Sequence, residues 1–212
     1  MVEVSVERIV TGPLRQNCYL VKKPDRSALI IDPGSDADKI IAQIEADNSR
    51  PVAILNTHAH FDHIGAVAKL QTAYEIPFYL QRRDDRLLHR ANSYSLVFGS
   101  KKPVKIPSVG HWIDSEETIK VGGFEIDVMF TPGHTKGSIC LSVCGLLFTG
   151  DTLFRGSIGR LDFPGSDRSS MKSSLQRLSE LPETTQFFPG HGGSGTVGEE
   201  LKNNKEFKEM IT

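Results

Sequence analysis

Six consecutive residues, His58-Ala59-His60-Phe61-Asp62-His63, include four side chains able to bind a hard or borderline cation. Imidazole nitrogens and carboxylate oxygens are the donors that zinc, iron and manganese accept. His58 and His60 stand two residues apart at a predicted strand end, so both rings leave on the same side and can reach one ion. Asp62 and His63 lie further round the turn and point to a second position. The plainer alternative is a polar loop that happens to be rich in histidine. Three of the chain's seven histidines are gathered here, which argues strongly against it.

Three further pieces fall at predicted strand ends. Thr131-Pro132-Gly133-His134 presents His134 from a rigid turn, and Pro189-Gly190-His191-Gly192 repeats the pattern. Thr149-Gly150-Asp151 ends another strand, with a glycine that permits close approach. One Pro-Gly-His is a turn before it is anything else; two of them beside the histidine cluster ask for more. Five histidines and two aspartates fit two ions sharing a ligand. His58, His60 and His134 make one site, Asp62, His63 and His191 the other, and the two oxygens of Asp151 bridge them. In such sites the ions lie about 3.5–4 Å apart and lower the pKa of a water between them towards neutrality. Zinc is the first expectation, with iron and manganese as alternatives.

The elements that must carry these residues read as strand, helix, strand in each half. Strands are expected within 3–32, over 16–21 and 28–31, joined by Lys23-Pro24-Asp25-Arg26. Asp32-Pro33-Gly34 breaks the last of them, and Ser35 with Asp38 predicts the cap of a helix carrying Ile40, Ile41 and Ile44. A strand over 52–55 delivers the chain to His58. A helix from about Asp62 buries Ile64, Val67, Leu70 and Tyr74, and a strand follows over 76–80. Residues 82–90 are expected as a polar helix and 93–108 as a long loop. In the second half strands are predicted over 118–121 and 124–130 around Gly122-Gly123, over 138–143 and 146–149 around Cys144-Gly145, and over 186–188. A helix is expected over 171–181. About one helix is expected after His191. Two packed sheets with helices on the outer faces bury the apolar faces of all these elements, as one domain over residues 1–212.

The bulk properties bound the function classes. The chain has 212 residues, 38% hydrophobic and 24% charged, with a formal net charge of −1. Without a basic excess, nucleic acid and anionic membranes are not expected partners. No secretory signal or membrane-length apolar run is seen, and Cys18, Cys140 and Cys144 form no disulfide framework. A cytoplasmic protein, a monomer or weak homodimer, is the expectation.

With these motifs in hand, the chain resembles the metallo-β-lactamase superfamily, and within it the short, single-domain glyoxalase II-like (hydroxyacylglutathione hydrolase) type. The resemblance runs from Asp32-Pro33-Gly34 through the histidine cluster and Gly150-Asp151 to Pro189-Gly190-His191, and includes Gly150-Asp151-Thr152-Leu153-Phe154 and Gly159-Arg160-Leu161-Asp162-Phe163. It implies an αββα sandwich of two mixed sheets with metals at one edge. Aspartate at 151, where one β-lactamase class has cysteine, points to a glyoxalase-type bridge rather than to antibiotic hydrolysis. Full-length glyoxalase II carries an extra C-terminal helical domain that helps hold glutathione, which this sequence does not show.

The implied reaction is hydrolysis of a thioester, from an S-2-hydroxyacylglutathione to glutathione and a 2-hydroxy acid such as lactate. Asp62 and Asp151 are the expected catalytic carboxylates, Asp62 also orienting water. Thiolate is a good leaving group, so a dedicated acid matters less. Arg160 is the candidate for a substrate carboxylate, its alternative being an ion pair with Asp162 or Asp167. Asp32 either orients a ligand histidine or caps the helix that follows it. His89 and His111 are left out of the site. The rival readings are a mononuclear-iron persulfide dioxygenase, a lactonase or other esterase of the same fold, and a non-catalytic metal-binding protein.

Overall fold

The computed structural model describes residues 3–97 and 103–212, which divide into two compact units. The first runs to Asp114 and takes in Val121–Gly123; the second comprises Ser115–Lys120 and Phe124–Thr212.

The first unit is built on a mixed six-stranded sheet. Its strands β1 (Ser5–Thr11), β2 (Gln16–Lys22) and β3 (Ser27–Ile31) pair antiparallel. Then α1 (Ala37–Ala46) crosses over to β4 (Arg50–Leu55), which lies parallel to β3. Short helices α2 (Phe61–Ile64) and α3 (Val67–Tyr74) lead to β5 (Phe78–Gln81), parallel again. A 3-10 turn at Arg82–Asp84, α4 (Asp85–His89) and α5 (Ala91–Val97) precede β6 (His111–Ile113), which closes the order β1 to β6. Parallel strands covered by helices read as near-continuous apolar runs, and β3 is buried at all five positions. Ile40 and Ile44, one helical turn apart, bury the inner stripe of α1 against Leu20, Ile30 and Ile54. Each such side chain contributes about 1.5–3 kcal/mol of burial.

Three expectations for this unit are corrected. Ser35 is not the cap of α1. That position is Asp36, left-handed at φ 50°, whose carboxylate instead accepts the Gly12 N–H at 2.8 Å. The helix expected from Asp62 is split at Gly65. A Cβ there would lie 2.3 Å from the Gly34 carbonyl oxygen, and the Ala66 N–H bonds the Pro33 oxygen at 3.0 Å, so the Pro33-Gly34 backbone presses into the break. The loop expected over 93–108 begins with helix α5, because Ala91 and Ser95 are buried and Ala91 joins the core. Residues 98–102 of that stretch lie outside the described residues. The polar helix over 82–90 forms as the 3-10 turn followed by α4.

The second sheet includes β7 (Thr118–Val121), β8 (Phe124–Phe130), β9 (Ile139–Val143) and β10 (Leu146–Gly150). A hairpin of two-residue strands, β11 (Leu153–Phe154) and β12 (Ser157–Ile158), follows. After α6 (Arg168–Ser179), β13 (Gln186–Pro189) pairs parallel with β10 and antiparallel with β14 (Gly195–Thr196). The sheet order is β14-β13-β10-β9-β8-β7. Two helices, not one, end the chain: α7 (Val197–Asn203) and α8 (Lys205–Ile211). Thr196 and Glu199 form a capping box at the start of α7. In this core Met171, Leu175 and Leu178 of α6 pack with Phe187, Phe207 and Met210. Cys140 is buried in β9, where burial pushes its thiol up to about 12, and Cys144 is exposed in the following turn. No described helix is long and apolar enough to cross a membrane.

Helix α6 begins one turn earlier than expected because Asp167 caps it, accepting the Ser170 N–H at 2.6 Å. Hydrogen bonds from Ser169 and Ser170 hold the Asp167 carboxyl down at about 2, below its ordinary value of about 3.9. A depressed carboxylate stabilises the fold fully above the unfolded value, and the contribution is lost as pH falls through about 2. Asp167→Ala is therefore expected to lower the urea midpoint at pH 7, the gap to wild type closing between pH 4 and 2. A gap independent of pH would show that the carboxylate charge is not what acts.

Candidate metal centre

In the first unit β4 ends at Leu55 and the chain enters Asn56-Thr57-His58, with His60 in the N-cap position of α2. The loop is clamped from several sides. Asn56 Nδ2 donates to the His63 carbonyl at 2.8 Å, and the buried Asp84 carboxylate accepts the Ala59 N–H, between His58 and His60, at 3.0 Å. A Cβ on Gly34 would fall 1.7 Å from the Asp62 carbonyl oxygen, so only glycine lets that strand end approach.

One carboxylate sets two of the cluster's histidines. Asp32, left-handed at φ 49°, accepts the Thr57 N–H on Oδ1 at 2.7 Å and the Thr57 hydroxyl on Oδ2 at 2.6 Å. The same Oδ2 lies 3.1 Å from His63 Nδ1. That contact places the proton on Nδ1 and leaves the Nε2 lone pair for a cation. Because the Thr57 hydroxyl donates to Asp32, its oxygen accepts from His58 Nδ1, 3.1 Å away, and His58 Nε2 is likewise left as a lone pair. Asp32 thus orients His63 directly and His58 through Thr57, and does not cap α1.

The donor set fits a divalent ion. His58 Nε2 and His60 Nδ1 stand 3.1 Å apart, and the His58 and His63 ring centroids are 4.0 Å apart, with His58 and His63 wholly buried. A cation about 2.1 Å from each of two nitrogens at that spacing subtends about 95°, within the range of protein metal sites. Asp62 is partly buried, with Oδ2 3.9 Å from His63 Nε2.

The second unit gathers His134, Asp151 and His191. His134 follows β8 and donates from Nδ1 to the Arg160 carbonyl at 2.9 Å, which turns its Nε2 lone pair to Asp151 Oδ2 at 3.5 Å. His191 Nε2 lies 3.7 Å from the same oxygen. An acceptor nitrogen facing a carboxylate oxygen at that distance is satisfied by a cation between them. Two loops are tied by the Gly190 N–H to the Gly150 carbonyl at 2.8 Å. Gly159 packs against them, since a Cβ there would meet the Asp151 carbonyl oxygen at 1.7 Å. Behind His134, Gly133 touches the start of α6, and the Asp167 N–H bonds its carbonyl at 2.8 Å.

The sequence-predicted residues therefore fall into two clusters, one in each unit. Asn56, Thr57, Asp84 and Gln16 were missed. Gln16 Nε2 donates to the Asp32 carbonyl at 3.0 Å; only the buried polar character of these four residues signals their part, and that is invisible before folding. Arg160 forms a two-point ion pair with Asp162, at 2.9 and 2.6 Å, and its guanidinium lies over Phe163 at 4.6 Å. His89 is exposed beside Asp85, and His111 stacks on Tyr79; neither joins a cluster.

A family model described as the metallo-beta-lactamase superfamily matches residues 11–191. The chain belongs to the metallo-β-lactamase superfamily. Probable metallo-hydrolase YqgX of Bacillus subtilis (strain 168) is 36% identical over 202 residues, 93% of this chain and 94% of that protein. Hydroxyacylglutathione hydrolase GloC of Haemophilus influenzae is 32% identical over 211 residues, covering 95% and 97%. Among solved structures, BLEG-1 B3 metallo-beta-lactamase matches with a TM-score of 0.90 at 35% identity, covering 95% and 98%. TTHA1623 in a di-iron-bound form matches with a TM-score of 0.84 at 38% identity, covering 94% and 98%. The chain has the metallo-β-lactamase fold, with two mixed sheets and their helices, and is a metal-dependent hydrolase of that superfamily.

If Asp32 fixes the tautomers of His58 and His63, Asp32→Asn should weaken zinc affinity by about 10–100-fold, as outer-shell losses do. Competition with a chromophoric chelator measures it. An unchanged affinity in a folded variant would show that Asp32 only braces the loop.

Proposed function

We propose that the protein is a binuclear thioester hydrolase acting on S-2-hydroxyacyl derivatives of a carboxylate-bearing thiol such as glutathione. The observation that carries this reading is the paired clusters, three histidines with Asp62 and two histidines with Asp151, in a superfamily chain covering nearly all of a hydroxyacylglutathione hydrolase. His58, His60 and His134 would hold one divalent ion and Asp62, His63 and His191 a second, with Asp151 as the carboxylate shared between them. The di-iron form of a relative supports two ions and makes iron an alternative to zinc.

Ions bound there supply Lewis acidity and bring the pKa of a water towards neutrality. The chain's own residues do the rest. Asp62, besides holding an ion, would orient the attacking water towards the thioester carbonyl. The Asp32 carboxylate and the Arg160 carbonyl keep the imidazoles aimed, so no reorganisation is needed as charge develops on the substrate's carbonyl oxygen. Thiolate leaves without an acid. A groove of about 760 Å3, within the range of small-molecule sites, starts at Gly159 and Arg160 beside His134 and extends past Phe154 and Ile158 to Glu206 and Met210. It has room for a thiol carrier.

A second reading, β-lactam hydrolysis, is favoured by the 35%-identical structure named a B3 metallo-beta-lactamase. The deciding experiment offers metal-loaded enzyme both S-lactoylglutathione and a chromogenic cephalosporin, with metal counted per chain. Turnover of the thioester, reduced about 100-fold or more in His60→Ala, with two metals bound, is expected. Cephalosporin turnover alone would install the second reading. One iron per chain with oxygen uptake would replace both by an oxygenase.

A further inference from the structure

Arg155 and Gly156 form the two-residue tip joining β11 to β12. A hairpin with strands this short is not stable by itself. Its tip is exposed, yet buried side chains from the C-terminal helices hold it. Asn204 donates from Nδ2 to the carbonyls of Phe154 at 3.5 Å and Ser157 at 3.0 Å, bracketing the turn. Glu200 Oε2 accepts the Gly156 N–H at 2.7 Å and Asn204 Nδ2 at 2.9 Å. Glu200 is 3% exposed and Asn204 fully buried. Burying a carboxylate and an amide is costly unless they are matched, and here they are matched largely on the backbone of this tip. The tip is thereby fixed, and it displays one side chain.

That side chain lies beside the loop that follows His191. A Cβ placed on Gly193, two residues past His191, would be 4.0 Å from both Cδ and Nη1 of Arg155. The neighbouring Phe154 ring meets the His191 ring edge-on, with centroids 6.1 Å apart. Among the described residues nothing hydrogen-bonds or ion-pairs with the Arg155 guanidinium. Arg160, by contrast, is committed to Asp162.

We infer that Arg155 is a specificity-determining residue that binds a carboxylate of the substrate's thiol carrier, an assignment resting on the thioester reading above. A 2-hydroxyacyl group is short and uncharged, so the carboxylate available to a guanidinium outside the ligand shell belongs to the carrier. The planar fork of arginine pairs with it in two parallel hydrogen bonds. Because the backbone at the tip is already ordered, little entropy is lost on pairing.

The test compares two lactate thioesters with zinc-loaded enzyme: S-lactoylglutathione, which carries carboxylates, and S-lactoyl-N-acetylcysteamine, which has none. Arg155→Ala is expected to lower the ratio of kcat/KM for the first over the second by about ten-fold or more. Arg155→Glu lowers it further, and Arg155→Lys recovers part. Calorimetry with S-methylglutathione, which needs no turnover, should show affinity falling in the same order. An unchanged ratio and unchanged binding in Arg155→Glu, or a wild-type preference for the neutral thioester, would overturn the inference and leave the thioesterase standing. A wild type that hydrolyses neither thioester overturns the parent reading, and the inference with it.

Discussion

The contact between the Asp32 carboxylate and the Thr57–His58–His63 group is the constraint on which the first donor cluster depends. Two carboxylate oxygens take three hydrogen-bond donors, and through them the tautomers of two imidazoles are fixed. In a buried setting a neutral histidine presents one lone pair, and the wrong tautomer would present an N–H to the cation instead. Asp32 reaches this position only because its backbone turns left-handed where β3 ends. Gly34, two residues on, lets that same turn lie against the Asp62 carbonyl. The Asp-Pro-Gly stretch is thus one device with two effects, orienting two histidines through the side chain and seating the loop through the backbone.

The second unit solves the same problem with carbonyls and glycines. His134 is oriented by a main-chain oxygen, that of Arg160, which no substitution of a side chain removes directly. Gly133, Gly150 and Gly159 permit backbone approaches that a Cβ would prevent at 133 and 159, and supply positive φ at 133 and 150. The start of α6 sits behind His134, so the helix cap at Asp167 and the placement of a ligand are mechanically linked. In the first unit the candidate donors follow β4 and enter α2, and in the second they follow the ends of β8, β10 and β13.

The C-terminal helices have a role beyond closing the core. Phe207 and Met210 of α8 pack under α6, while Glu200 and Asn204 reach out to the β11–β12 hairpin. Elements late in the chain therefore shape the surroundings of Asp151 and His191, which come before them.

The candidate donor residues stood out in the sequence because metal binding would demand rare side chains at close spacing, as His58 to His63 supply. Strands over 16–21, 118–121 and 124–130 were legible too, since apolar runs and alternation reflect a sheet's own period. Weak local signals were not: β6 has three residues, β11, β12 and β14 two each, and none can be told from loop before its neighbours are present. Helix α5 escaped because its buried face includes Ala91 and Ser95, small residues without an apolar stripe. What only the tertiary structure decided is the hydrogen bonding of buried polar groups. Whether Asp32 caps a helix or aims a histidine, whether Arg160 meets Asp162, and whether Asp84 holds Ala59 all depend on residues 2 to 31 positions apart. Composition fixes which donors exist; pairing them is a question of distance in space, and the fold alone sets that distance.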